Sequence, residues 1–214
     1  MPGFVSGCSI AFLIAASLVL FGRPASAVLL VGDLNSPADG LLTLDTGSGL
    51  EWLDWAVTDG MSVNQVEDEL ESGGMFDSFR YATNAEVITF WLNAGIPNVP
   101  GITLANLAPV QALVTLLGVT FSNSLVTAGS IGFTNDVSGA LRFEANLADR
   151  TPFDGLGQAT LQLTIGITDA SQDPSRGHAL VRPIPEPASA VLLLAGLCGV
   201  AFGRGWIERR SAAR

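Results

Sequence analysis

Leu141-Arg142-Phe143-Glu144-Ala145-Asn146-Leu147 alternates apolar and polar residues without a break, and Leu161-Gln162-Leu163-Thr164-Ile165-Gly166-Ile167-Thr168 repeats the pattern downstream. A period of two places every second side chain on one face of a strand, so both stretches are expected to be half-buried antiparallel strands. Leu125 to Phe133 and His178 to Arg182 also favour strand over helix, as does Gly40 to Leu44 near the start.

Upstream of these strands the signals are helical. Ser62-Val63-Asn64-Gln65 is a capping box that opens a helix through about Glu71, stopped by Gly73-Gly74. Thr83-Asn84-Ala85-Glu86 is a second box. Its helix carries Val87, Phe90 and Trp91 on one face and closes at Gly95 and Pro97. A third helix is expected from Leu104 to Leu117, with Pro109 tolerated near its first turn and an apolar surface that points to deep burial. Helices gathered early and strands gathered late predict an α+β domain, with helices in the first half and antiparallel sheet in the second.

The composition pulls in two directions. A mean hydropathy of +0.43 accompanies a formal charge of -10, so the apolar excess must sit in particular segments. All ten bases are arginine, which excludes a Schiff-base or P-loop lysine. The acidic balance also argues against a nucleic-acid partner. One histidine and two cysteines are too few for a multi-histidine or four-cysteine zinc site.

Both ends of the chain explain the excess. Cys8 to Gly22 is an uncharged apolar run followed by Arg23, Pro24 and Ala25-Ser26-Ala27. Small residues at the -3 and -1 positions, Ala25 and Ala27, suit signal peptidase and place cleavage before Val28, which makes residues 1–27 a secretory signal peptide with a helical apolar core. At the other end, Pro185-Glu186-Pro187 precedes an apolar run from Ala188 to Phe202, then Arg204, Arg209 and Arg210. With Trp206 and Ile207 included, residues 188–207 are expected to form a transmembrane helix, with the basic tail of residues 204–214 on the cytoplasmic side. Residues 28–183 are left as one exported domain. It holds 18 acids, five arginines and no cysteine, for a net charge of -13.

These three parts of the carboxyl-terminal end, in this order, resemble the PEP-CTERM sorting signal of Gram-negative bacteria. The resemblance implies that an exosortase, a membrane protease-transpeptidase, reads residues 184–214, and that the protein serves a cell that makes extracellular polysaccharide and biofilm. Two prolines would hold the recognition segment extended at the membrane surface, with Glu186 as the recognised charge. A second resemblance rests on Asp45-Thr46-Gly47-Ser48-Gly49-Leu50-Glu51-Trp52-Leu53-Asp54, on Phe79-Arg80-Tyr81-Ala82-Thr83 with Glu86-Val87, and on Leu180-Val181-Arg182. It is similar to a bacterial domain of unknown function related to C-type lectin-like folds. That resemblance implies a closing strand at Leu180 to Arg182 near the amino terminus, and it brings no functional residues.

Candidate chemistry is sparse. No G-x-S-x-G turn surrounds a serine, and His178 is expected as a surface or strand-edge residue. Glu67, Asp68, Glu69 and Glu71 spread around their helix as a solvated face, not as a paired-carboxylate glycosidase site. Arg80 and Glu86 are expected to form an ion pair at a helix cap. Asp149 and Asp154, or Asn135 and Asp136, offer oxygen ligands to calcium, but no Asp-x-Asp-x-Asp-Gly loop is present, and no cofactor or metal is expected. Trp52, Trp55, Tyr81 and Trp91 could stack on sugars. Trp55, flanked by Asp54 and the loop Thr58-Asp59-Gly60, is the best surface candidate for glycan binding. The expected function is that of a non-enzymatic exported envelope or matrix protein, met by signal peptidase, then by exosortase and membrane, then by exopolysaccharide. The alternatives are a lectin-like module and, behind it, a polysaccharide hydrolase.

Overall fold

A computed structural model describes residues 27–185. Ala25, Glu186, Pro187, Arg204, Arg209, Arg210 and the segment 188–207 lie outside the described residues. Among the described residues no helix is long and apolar enough to cross a membrane.

The described residues form two sheets and three α-helices, in agreement with the α+β reading. Strands β1 (Leu29–Gly32), β2 (Leu42–Asp45), β3 (Leu50–Leu53), β4 (Arg80–Tyr81) and β11 (Leu180–Pro183) make a five-stranded sheet in the order β1-β2-β3-β11-β4. A six-stranded sheet contains β5 (Gly101–Thr103), β6 (Phe121–Asn123), β7 (Val126–Ser138), β8 (Leu141–Asp149), β9 (Gly157–Leu163) and β10 (Gly177–His178). Its path is β10-β7-β8-β9-β5, with β6 also on β7. Neighbours in this second sheet pair antiparallel except β10, which runs parallel to β7. Most strand residues lie in the second half, but β1 to β5 belong to the first.

The helices stand where their caps predict. Helix α1 (Val63–Leu70) has Ser62 as cap, with the Gln65 amide donating to Ser62 Oγ and the Ser62 amide donating to Gln65 Oε1. Helix α2 (Asn84–Asn93) repeats the reciprocal pattern between Thr83 and Glu86. A 3₁₀ turn, Leu104–Asn106, leads into α3 (Leu107–Leu117), which buries Val110, Leu113, Val114 and Leu117. Changing Thr83 to alanine is expected to lower unfolding stability by about 1 kcal/mol, measured by urea denaturation. An unchanged midpoint would show that Glu86 caps the helix alone.

Burial on both sides of the inner strands of the first sheet explains why they are hard to read. Trp52, Ala82 and Val181 enter one apolar cluster with α2 and α3, while their neighbours Leu53, Tyr81 and Leu180 enter a second with α1. Such strands carry no solvent face, so their alternation disappears into a continuous run. The Leu180–Pro183 strand lies between β3 and β4, so the chain's last described strand is an interior strand of the sheet that its first strand begins.

Two expectations about the second sheet are corrected. Glu144 is 1% exposed and Asn146 7%, so β8 is covered on both faces where the alternation predicted one wet face. The face carrying Glu144 is closed by the Asp169 to Arg176 segment: Arg176 Nε donates to Glu144 Oε2 at 2.9 Å, and Arg142 bonds Asp169. Strand β9 is also displaced toward the amino terminus. It covers Gly157 to Leu163 instead of Leu161 to Thr168, and Ile165 is 87% exposed. Ala159, opposite Leu147 in the ladder, supplies the core contact. Small apolar residues did not stand out against the Leu and Ile that follow.

Candidate functional site

Trp55 does not lie on the surface. It opens the 3₁₀ turn Trp55–Thr58 and has no exposed area. Gly132 on β7 and Gly177 on β10 make its seat: a Cβ on Gly132 would fall 2.8 Å from the ring, and one on Gly177 would fall 1.8 Å from the Trp55 carbonyl oxygen. Trp52 and Trp91 are equally buried, and Tyr81 is 6% exposed. Trp52 stacks on Phe90 with centroids 4.2 Å apart. None of the four aromatics proposed for sugar stacking faces solvent, and Trp55 is therefore withdrawn as a glycan contact.

His178 is corrected in the same way. It is fully buried at the junction of both sheets, with Tyr81 Oη 2.7 Å from Nδ1 and the Met61 carbonyl 3.0 Å from Nε2. A carbonyl can only accept, so Nε2 carries the proton and Nδ1 accepts from the tyrosine. Burial lowers the histidine to about 4, against the Met61 hydrogen bond and with the Arg142 charge. Burial pushes the Tyr81 phenol well above its ordinary value, against the Arg142 charge. Arg142 lies over the Tyr81 ring, 5.2 Å from its centroid. The arrangement holds a neutral imidazole in place, with both nitrogens occupied and no serine or carboxylate bonded to it.

Local side chains also account for the residues that carry the second resemblance. Asp45, without exposed area, accepts from the Gly47 and Ser48 amides, the Ser48 hydroxyl and both contacts of Asn93 Nδ2. This clasps the β2–β3 turn to the end of α2, and Gly49 closes the turn at φ +72°. Arg80 grips Glu86 bidentately at 2.9 and 2.6 Å, as the sequence led us to expect. The Arg80 hydrogen bond, reinforced by Thr83, lowers Glu86 to about 2. These side chains build the fold.

The three aspartates among the calcium candidates are otherwise engaged, and Asn135 is exposed. Asp149 accepts from Thr151 and Gln111, Asp154 pairs with Arg150 at 2.6 Å, and Asp136 accepts from the Asn84 amide. Among the described residues no group of three or more histidine, cysteine or carboxylate side chains could hold a metal ion. Of the described residues next to the expected processing points, Ala27 packs against Gly47, the Val28 amide donates to Thr46 Oγ1 at 3.0 Å, and Pro185 is exposed.

Two surface depressions among the described residues bear on a ligand. One, about 280 Å³, is lined by Ser48, Leu50, Ala85, Glu86 and Thr89, where the only charged group is already committed to Arg80. The other, about 170 Å³, lies between the β6–β7 hairpin and the β8–β9 loop. Its wall includes Leu125 and Phe153, 52% and 59% exposed, beside Arg150, Asn123 and Gln158. The sequence reading passed over Phe153. Its one available signal was an aromatic residue in a loop bounded by Pro152 and Gly155.

No protein-family model, no curated protein and no solved structure matches the chain. The class defined by the fold is accordingly an acidic α+β domain with two sheets, and functional assignment rests on its own residues.

Proposed function

We propose that this is an exported, non-enzymatic protein of the cell envelope or extracellular matrix, delivered by a signal peptide and processed through its carboxyl-terminal PEP-CTERM-like signal by an exosortase. The observation that carries the proposal is the ordered tripartite tail: Pro185-Glu186-Pro187, the apolar run, and the arginines 204, 209 and 210. Two structural features support it. The strands extend from Leu29 to Pro183, adjacent to the expected cleavage before Val28 at one end and to the Pro185 motif at the other. The domain between holds its core with two apolar clusters and needs no disulfide, which suits a cysteine-free cargo in an oxidising compartment. Signal peptidase, exosortase and the membrane are the partners in transit, and exopolysaccharide is the partner at the destination.

The test is the mass and location of the mature protein in a cell that carries the export route. Glu186→Ala is expected to leave the tail attached and the protein in the inner membrane, whereas the parent loses it. Identical processing of the two would remove the exosortase from the account. A lectin-like role is the second reading, favoured by the solvent-exposed Phe153 beside fixed polar groups and no longer by Trp55.

A further inference from the structure

We infer that the depression between the β6–β7 hairpin and the β8–β9 loop is a binding subsite for one neutral pyranose ring of a polysaccharide, with Phe153 as its stacking platform. The inference rests on the extracellular placement proposed above and names a ligand class that the placement alone does not.

The loop is built to hold an aromatic ring in water. The Arg150 carbonyl accepts the amides of Phe153, Asp154 and Gly155, the Arg150 amide donates to the Leu156 carbonyl, and the Leu156 amide donates to Asp154 Oδ1. Asp149 fixes the preceding corner through Thr151 and is itself held by Gln111 of α3. A loop with so many satisfied amides loses little freedom on binding, which is the condition for affinity from a small contact. An isolated exposed apolar residue would need no explanation. Here two of them, Phe153 and Leu125, line the same depression from different loops.

The polar groups around the ring select the ligand. The Arg150 guanidinium lies over Phe153, 5.2 Å from its centroid. Nε and one NH2 nitrogen bond Asp154 and the other bonds Gln158 Oε1. Three of its five N–H groups are thereby used, leaving two in a fixed plane. Asn123 Oδ1 accepts the Leu125 and Val126 amides, which turns its amide so that Nδ2 donates to nothing among the described residues. Fixed donors beside a ring face match a pyranose, whose hydroxyls accept around its rim while its C–H groups meet the negative face of the aromatic. Asp154 neutralises Arg150, and the 28–183 domain carries a net charge of -13. Both features disfavour an anionic sugar. The volume of about 170 Å³ is below the roughly 300 Å³ at which sites for drug-sized ligands begin, so one ring is held and the rest of the polymer runs past.

The experiment is titration of the full-length chain, in a detergent without a sugar headgroup, with cellohexaose, mannohexaose, chitohexaose and an oligogalacturonate. Calorimetry and amide chemical shifts are read together. At least one neutral hexamer is expected to bind, with shifts at Asn123, Arg150 and Phe153, while oligogalacturonate does not. Phe153→Ala should weaken binding tenfold or more, and Val137→Ala, at an exposed apolar position on β7, should not. Because Phe153 is 59% exposed, an unchanged urea midpoint confirms that the variant is folded. Binding by none of the neutral hexamers, preference for the anionic one, or full binding by Phe153→Ala would each overturn the inference. So would self-association that Phe153→Ala removes, since the patch would then be a protein contact. Processing of the Glu186→Ala variant reads the sorting route separately, so either proposal can fail without the other.

Discussion

Asp54→Asn is expected to stabilise the protein by about 3 to 4 kcal/mol at pH 8 and to change it little near pH 4. Asp54 precedes the Trp55 turn and is 9% exposed, and its Oδ1 has no hydrogen-bond partner among the described residues. Burial, with a smaller contribution from the negative charge of Asp39, raises its carboxyl to about 7. Asp39 stays charged because the Ser36 and Asn35 amides, against a smaller burial penalty, hold it at about 2. A folded pKa above the unfolded value means that the favourable contribution is complete below about 3.8 and is lost as pH rises through about 7. Asparagine has the shape of the protonated acid and no charge to bury. Urea unfolding at both pH values checks this. An equal gain at pH 4 and pH 8 would assign the effect to packing, and no gain at pH 8 would mean that the carboxylate is solvated.

His178→Gln is expected to show the opposite dependence. Burial lowers the imidazole to about 4 from an ordinary 6.5, so its contribution is complete above about 6.5 and disappears as pH falls toward 4. The span corresponds to about 3 kcal/mol. The variant should be less stable than the parent at pH 7, where it loses the paired contacts to Tyr81 and Met61, and the deficit should shrink by about 3 kcal/mol by pH 4. A deficit independent of pH would show that folding leaves the pKa of the histidine unchanged. Between about pH 4 and 6.5 the two groups compensate. The folded chain keeps a proton on Asp54 and the unfolded chain keeps one on His178. Subtracting the parent's pH profile from each variant's should therefore reveal two slopes of opposite sign, although the pair together contributes almost none.

Neither prediction could be made from the order of residues. Asp54 reads there as a loop acid beside Thr58-Asp59-Gly60, and His178 as the start of a terminal strand. Their environments come from afar: Met61 and Thr58 meet His178 across more than a hundred positions, with the Thr58 hydroxyl taking the His178 amide at 2.8 Å. Trp55 was misplaced for the same reason. Acidic neighbours and a glycine-bounded loop describe its flanks, whereas its burial depends on the missing Cβ atoms of Gly132 and Gly177.

The features that did emerge were those whose cause is local. Both capping boxes, the Arg80–Glu86 clamp and the apolar α3 depend on residues within a turn or two of one another, and each appears where its spacing places it. The β7–β8–β9 meander follows from period-two patterning and short turns, with one strand displaced because Gly157 and Ala159 carry little hydrophobic signal. Strand β3 was not anticipated, since four residues without a solvent face give no period to count, and β1 was not because its exposed Leu30 and Val31 are both apolar.

The chain's linear order was enough for the helix caps, the α+β class, the acidic cysteine-free middle and the two apolar ends, because propensity, spacing and charge act over short distances. Long-range packing decided which side chains meet water. It put Trp55, His178 and Glu144 inside and left Phe153 outside, because burial depends on what arrives from elsewhere in the chain.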